Sequence, residues 1–160
     1  MHLKSVLIET YPHGAVGGYL SHYRDMAFQG RDEAVDFEKA TTSLFQDIFG
    51  YEAIHLGQTG SKSAPDVLLI SDSDGYQAII DNKAYSKYSI SGDHHNRMVH
   101  NYLENISNYS SCKYPIGYFT YISGGFVPHI DRQIKDEVDA SGVHGSGITV
   151  SNLIMLIEDH

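Results

Sequence analysis

Several features common in other protein classes are scarce or absent in this 160-residue chain. Cys112 is the only cysteine, so an intrachain disulfide is impossible and a reducing, intracellular compartment is expected. The first apolar run, Val6 to Ile8, is too short for the core of a signal peptide. No run approaches the roughly 20 residues that a membrane helix needs. The sequence therefore predicts a cytoplasmic protein without a membrane segment.

Positive charge is also scarce, with 11 lysine and arginine residues against 20 aspartate and glutamate residues and a formal net charge of -9. Proteins that bind nucleic acid by bulk electrostatics concentrate lysine and arginine on the binding surface. The composition argues against that class, but it is compatible with an enzyme that meets DNA only at a metal site. The length predicts one domain with a core of ordinary size.

Helical and strand patterns alternate along the chain. We expect a short helix near residues 19–28, after a loop around Gly14, Gly17 and Gly18, and a clear amphipathic helix at 36–49 that stops at Gly50. A hairpin of strands 67–70 and 76–80 follows, then a helix at 92–108, a strand at 114–123, a helix at 129–141, a strand at 147–150 and a closing helix capped by Ser151. The 141–147 stretch is expected to be a connection. This order predicts an α/β fold, with a mixed central β-sheet flanked by helices on both faces.

Charged residues stand at unusual places in the hairpin. Asp66 precedes its first strand, and its second strand runs into Asp81-Asn82-Lys83. Side chains alternate along a strand, so Asp81 and Lys83 point to one face and Asn82 to the other. If residues 73 and 74 form the tip, Asp66 pairs with Asp81; if 74 and 75 form it, Asp66 faces Lys83. Either register predicts a cluster of Asp66, Asp81 and Lys83.

The charges of this cluster suggest a metal site. Two neighbouring carboxylates raise each other's pKa, and a divalent cation removes the conflict. Asp66, Asp81 and the backbone carbonyl of Asn82 would suit Mg²⁺, with Glu38 of the 36–49 helix as a further carboxylate. Lys83 could then deprotonate a metal-activated water or stabilise charge on a phosphate. The alternative is an ordinary salt bridge at a strand end, which contributes about 0–1 kcal/mol.

More of the chain follows a known pattern. "FGYEAIHLG" at 49–57 leads into Pro65-Asp66, and "AIIDNKAYSKYSI" at 78–90, "RMVHNYLENI" at 97–106, "YISGGF" at 121–126 and "ITVSNLIML" at 148–156 follow in order. These stretches resemble the cleavage domain of FokI-type type IIS restriction endonucleases, in the PD-(D/E)xK nuclease superfamily. The specific part is "IIDNKAYS", and the resemblance extends over about residues 32–158.

The resemblance implies a restriction-endonuclease-like core and Mg²⁺-dependent hydrolysis of a phosphodiester in double-stranded DNA, leaving a 5′-phosphate and a 3′-hydroxyl. By matching position, Asp66 and Asp81 would be metal ligands and Lys83 the catalytic lysine. Glu38 would be the helix carboxylate near the metal, possibly bound through water. The same core also serves repair and recombination nucleases, and a non-catalytic assembly module that keeps the nuclease fold is a further alternative.

The resemblance also implies partners. Cleavage domains of the family pair through the helix after the catalytic strand, here residues 92–108, where Arg97, His100 and Asn101 are candidates for the pairing surface; a merely solvated polar face is the alternative. Residues 1–31 are expected to be a peripheral segment too small for a DNA-recognition domain, which leaves residues 1–160 as one nuclease domain. The chain should therefore bind DNA weakly alone and depend on a separate recognition subunit or domain. The N-terminal methionine favours a separate cleavage subunit over an excised domain.

Overall fold

The computed structural model describes residues 15–30, 34–57 and 64–159. Five strands form one sheet: β1 (Glu52–His55), β2 (Val67–Ser71), β3 (Tyr76–Lys83), β4 (Ile116–Ser123) and β5 (His144–Thr149). The α-helices are α1 (Ala15–Met26), α2 (Ala34–Asp47), α3 (Gly92–Asn96), α4 (Ile130–Ser141) and α5 (Val150–Glu158). A π-helical segment at Arg97–Leu103 continues α3, and a short 3₁₀ turn at Ile106–Asn108 completes the predicted 92–108 helix.

The strands lie in the sheet in the order in which they occur in the chain. β1, β2 and β3 pair antiparallel, whereas β3, β4 and β5 pair parallel. Val67 lies opposite Ile80, so the hairpin has the first of the two predicted registers, with residues 73 and 74 at its tip. The predicted mixed sheet is therefore confirmed, and its antiparallel half contains the cluster residues of the hairpin.

Helices cover both faces of the sheet, as the alternation of elements predicted. On one face, α1, α2 and α5 pack on Val67, Leu69, Ala78, Ile80 and Ile122. On the other, the π-helical segment and α4 pack on the opposite side chains of the same strands, among them Ile79, Phe119 and Tyr121. No helix within the described ranges is long and apolar enough to cross a membrane.

The N-terminal part of the chain differs from its prediction. Residues 15–26 form a helix that includes Gly17 and Gly18, which were predicted to lie in a loop; Gly14 lies outside the described residues. Leu20, Tyr23 and Met26 are buried in the core of the α1–α2–α5 face. This part of the segment predicted to be peripheral thus contributes apolar side chains to the core, and the assignment of residues 1–160 to one nuclease domain stays a prediction.

Strand β1 was not predicted. Its four residues, Glu-Ala-Ile-His, show no clear alternation of apolar and polar side chains, and none of them is fully buried. Strand pairing explains it instead, because Glu52 to His55 align antiparallel with Ile70 to Val67. The signal for β1 thus lies in its neighbour rather than in its own sequence.

The C-terminal strand and helix begin earlier than predicted. β5 begins at His144, so most of the stretch expected to be a connection is strand, and Val150 already belongs to α5. The N-cap of α5 is Thr149, whose Oγ1 accepts a hydrogen bond from the Asn152 N–H at 3.1 Å. The prediction that Ser151 caps this helix is wrong, because Ser151 lies within the first turn.

Replacing Thr149 with alanine should lower the free energy of unfolding by about 1 kcal/mol, because the first turn of α5 loses its side-chain hydrogen-bond acceptor. Ser151→Ala, two residues away on the exposed surface, is the matched control and should change stability by less than about 0.5 kcal/mol. Urea denaturation followed by circular dichroism measures both. A larger loss for Ser151→Ala than for Thr149→Ala would contradict this capping assignment.

Candidate active site

Asp66 lies at the start of β2, where the hairpin register places it opposite Asp81. Its Oδ2 atom accepts a hydrogen bond from the backbone N–H of Asn82 at 2.7 Å. Its own backbone carbonyl accepts from the Leu56 N–H at 2.9 Å, on the side of β1. Bonds on both sides therefore fix Asp66 between the end of β1 and the end of β3.

Asp81 and Lys83 share a face of β3, as strand alternation predicted. The Lys83 Nζ atom is 3.0 Å from Asp81 Oδ2, and both side chains are largely buried. Asn82 points to the other face, where its Nδ2 donates to Thr41 Oγ1 of α2 at 2.7 Å. The structure thus brings Asp66, Asp81 and Lys83 together at adjacent strand ends.

The backbone carbonyl of Asn82, predicted as a metal ligand, faces the same place. In a β-strand, the N–H and C=O of one residue point toward the same neighbouring strand. Because the Asn82 N–H reaches Asp66, its carbonyl is directed to the Asp66 side, beyond the first residue of β2. We therefore expect the Asn82 carbonyl to lie on the same side of β3 as the Asp66 carboxylate.

Glu38 approaches the cluster from α2. Its Oε1 atom lies 3.1 Å from His55 Nε2 at the end of β1, and its side chain is mostly buried. The chain passes close by at Gly57, where a β-carbon would lie 1.9 Å from Glu38 Oε1. A larger residue at position 57 would require this carboxylate, the end of a flexible side chain, to move. His55 is a partner of Glu38 that the sequence prediction did not include.

The cluster carries more negative than positive charge. Burial raises the pKa of Asp66 well above its usual range, and the charges of Asp81 and Glu38 raise it further. Burial opposes protonation of Lys83, but the charges of Asp81 and Asp66 outweigh it, so that the pKa of Lys83 is raised. One lysine thus faces three carboxylates, and a further cation would relieve the repulsion among them.

A divalent cation fits this donor set in one particular way. Within the described ranges, no group of three His, Cys, Asp or Glu side chains is placed to hold a metal ion by itself. Two aspartates, one backbone carbonyl and waters are nevertheless a ligand set that Mg²⁺ accepts, because it retains several waters when protein-bound. The residues present are therefore compatible with a hydrated Mg²⁺ rather than with a closed, all-protein site.

Aromatic and acidic side chains beneath the cluster were missed by the sequence prediction. The Lys83 Nζ lies 5.7 Å from the centroid of the buried Tyr88 ring. Tyr121 aligns with Asp81 in the β3–β4 register, and its O–H donates to both carboxylate oxygens of Glu137 at 2.9 Å. Glu137 is fully buried, and burial raises its pKa to about 8. On α4 it lies on the same helical face as the apolar residues Ile134 and Val138, and this spacing predicts from the sequence that Glu137 faces inward.

A cleft of about 360 Å³ opens beside Lys83 at the end of β3. Asn82, Lys83, Tyr85 and His94 line it, together with Gly30 and Ala34. Burial lowers the pKa of His94, and the charges of Lys83 and Arg97 lower it further. Of the predicted pairing residues, Arg97 therefore lies near this cleft, whereas His100 and Asn101 are exposed on the π-helical segment.

Fold and site together define the chain as a restriction-endonuclease-like α/β protein. The family model described as "FokI, cleavage domain" matches residues 1–160. The chain therefore belongs to the family of FokI cleavage domains, the DNA-cleaving part of type IIS restriction endonucleases, and the resemblance seen in its motifs is confirmed.

Solved structures agree with this assignment. Restriction endonuclease FokI bound to DNA is 21% identical, with a TM-score of 0.72 over 88% of this chain and 27% of the other. A second structure of restriction endonuclease FokI is 21% identical, with a TM-score of 0.69 over 85% of this chain and 27% of the other. At this identity the likeness shows the fold, and the chain spans about a quarter of each of those longer chains. No curated protein matches the chain significantly in sequence.

The buried carboxyl of Glu137 should make folding stability depend on pH. Its pKa is about 8 in the folded chain against an ordinary value of 4.5, so the folded state holds the extra proton. The stability that this proton provides is present at low pH and is lost as the pH rises from about 4.5 through about 8. Glu137→Gln should therefore flatten the decline in urea midpoint between pH 6 and pH 9.

The control for this measurement is Glu158→Gln, which changes an exposed glutamate on α5. It should leave the pH dependence of the wild type unchanged. Equal slopes for the wild type and Glu137→Gln would show that the Glu137 carboxyl is ionised throughout the range, contrary to this account.

Proposed function

We propose that the chain is a Mg²⁺-dependent DNA endonuclease that hydrolyses a phosphodiester of double-stranded DNA to a 5′-phosphate and a 3′-hydroxyl. The observation that carries the proposal is the convergence of Asp66, Asp81 and Lys83, fixed by the 2.7 Å bond from the Asn82 N–H to Asp66. Membership of the FokI cleavage-domain family supports the same reaction.

The chain's own residues would hold the metal at the strand ends. Asp66 and Asp81 supply carboxylate oxygens, the Asn82 carbonyl supplies a third oxygen, and Glu38 binds through a water molecule. A divalent cation bound there polarises a phosphoryl oxygen and lowers the pKa of a coordinated water. Burial of these side chains excludes bulk water, which strengthens every electrostatic interaction with the phosphate.

Lys83 provides the positive charge of the protein next to the reacting phosphate. As an ammonium group 3.0 Å from Asp81, it can donate a charge-assisted hydrogen bond to a phosphoryl oxygen and stabilise the charge that develops there. The Tyr88 ring beneath it restricts the position of the Nζ atom. We assign Lys83 to charge stabilisation rather than to the role of general base.

The proposal includes a separate means of locating DNA. With a net charge of -9, the chain gains little affinity from phosphate attraction at long range. A recognition domain or subunit, on the same or another chain, would bring the cleavage domain to its target. The lone cysteine supports a cytoplasmic location for such an enzyme.

Pairing of two cleavage domains would use the polar face of residues 92–108. Met98, Val99, Tyr102 and Leu103 bury the opposite face in the core. His100 and Glu104 form an exposed ion pair within the helix, and Arg97 pairs with Asp93. Such pairs contribute little to stability, about 0–1 kcal/mol, so Arg97, His100 and the neighbouring Asn101 can form new bonds with a second copy at small cost.

Asp81→Asn should reduce Mg²⁺-dependent cleavage of plasmid DNA by at least about 100-fold, because it removes a charged ligand needed in the transition state. The fold should persist, since asparagine has the same shape as aspartate. Asp136→Asn, on the exposed surface of α4, is the control and should cleave like the wild type. Undiminished cleavage by Asp81→Asn would disprove the assignment.

Binding of Mg²⁺ to the purified chain should be measurable by calorimetry and should disappear in Asp66→Ala, because one of two carboxylate ligands is lost. Asp136→Ala should bind as the wild type does. Equal heats for the wild type and Asp66→Ala would exclude a metal site at this strand end. A wild type that assembles with a partner but shows no heat would instead favour the non-catalytic assembly module.

A further inference from the structure

Tyr85 presents an exposed aromatic ring in the cleft that contains Lys83. Its relative exposure is 52%, although it follows a buried strand by only two residues. It lines the cleft together with Lys83 and Asn82. A half-exposed tyrosine that lines a cleft beside charged groups offers the face of its ring to a ligand.

The backbone around Tyr85 is held rigidly. The Tyr85 carbonyl accepts hydrogen bonds from the Ser123 hydroxyl at 3.1 Å and from the Gly125 N–H at 3.1 Å. The carbonyl of Gly125 in turn accepts a hydrogen bond from the Tyr88 N–H at 2.8 Å. A β-carbon at Gly124 would lie 2.7 Å from the Tyr85 carbonyl and 2.8 Å from the ring of Phe28, another half-exposed aromatic. The loop after β3 is thus fixed against the end of β4. The backbone that carries the Tyr85 ring is held in place by these hydrogen bonds.

One face of the Tyr85 ring is already supported. It stacks on Tyr88 with a centroid distance of 5.8 Å and an interplanar angle of 16°. Tyr88 is buried, and a 2.8 Å hydrogen bond joins its hydroxyl to His94 Nδ1. The ammonium of Lys83 lies over the same Tyr88 ring. Tyr88 therefore sets the positions of both the exposed ring and the cation.

The cleft has little positive charge with which to bind a DNA strand, so uncharged contacts to the DNA would be needed as well. Of the described residues that line it, Lys83 is the only lysine or arginine, and it is paired with Asp81. A DNA strand cannot be held there by ionic attraction alone, because the neighbouring carboxylates oppose it. An aromatic ring binds the sugar or base of a nucleotide without requiring positive charge.

We propose that Tyr85 is a binding platform for the nucleotide next to the scissile phosphate. The exposed face of its ring packs on the sugar or base of that nucleotide. The contact is independent of sequence, since every nucleotide offers such a face. This inference rests on the proposed endonuclease function and adds a contact to the substrate that is separate from the metal ligands.

The test measures binding and cleavage separately. Anisotropy of a fluorescein-labelled duplex, and of one of its strands alone, is recorded with EDTA present at several salt concentrations for the wild type, Tyr85→Ala and Tyr85→Phe. Cleavage of the duplex with Mg²⁺ is recorded for the same proteins. Tyr114→Ala, which removes an exposed tyrosine outside the cleft, is the matched control, and thermal melts verify folding.

Tyr85→Ala should weaken binding about 5-fold or more, as for other stacked aromatics, whereas Tyr85→Phe and Tyr114→Ala should stay close to the wild type. The salt dependence should not change, because no phosphate charge is neutralised by the ring. Loss on both probes indicates contact with the sugar, and loss on the single strand alone indicates contact with an unstacked base.

Two results would overturn the inference and are distinguishable. If Tyr85→Ala binds and cleaves as the wild type does, the platform is wrong and the endonuclease function stands. If the wild type neither cleaves the duplex at high protein concentration nor binds Mg²⁺ in the calorimeter, the proposed function fails and the platform fails with it.

Discussion

The hydrogen bond from the Asn82 N–H to the Asp66 carboxylate is the interaction on which the site depends. It extends the β2–β3 register one step beyond the last backbone pair, Val67 with Ile80. A slip of one residue would turn Asp81 and Lys83 to the α2 face and bring Asn82 into their place. Every later feature of the site, from the ion pair to the aromatic layer under Lys83, assumes this register.

The close approach of the acidic side chains makes the site electrostatically unfavourable when no cation or ligand is bound. Asp66, Asp81 and Glu38 are crowded and partly removed from water, with one lysine among them. This repulsion lowers the stability of the folded state, and the burial of apolar side chains on both faces of the sheet offsets it. The arrangement is typical of binding sites, where local stability is lower so that a ligand of opposite charge is favoured.

The local parts of this structure could be predicted from sequence, and the long-range parts could not. Alternation along β3 predicted which faces Asp81, Asn82 and Lys83 occupy, and the tip residues limited the register to two choices. β1 depends on pairing with β2, and the Glu38–His55 contact depends on the meeting of α2 with β1. Thr149 and Ser151 are both residue types that cap helices, and only the position at which β5 ends decides between them. Glu137 received no prediction, although its position beside Ile134 and Val138 on the helix was available in the sequence.

The order of the strands in the sheet has a kinetic consequence. Each strand neighbours the preceding one in the chain, and β2 and β3 are joined by a turn of four residues at most, so their hairpin closes a very short loop. Hairpins form in about 1–10 μs, whereas parallel strands must wait for the closure of a longer crossover. Asp66, Asp81 and Lys83 all belong to this hairpin or its ends. We therefore expect the relative placement of Asp66, Asp81 and Lys83 to be established with this hairpin, whose loop is the shortest between paired strands of the sheet.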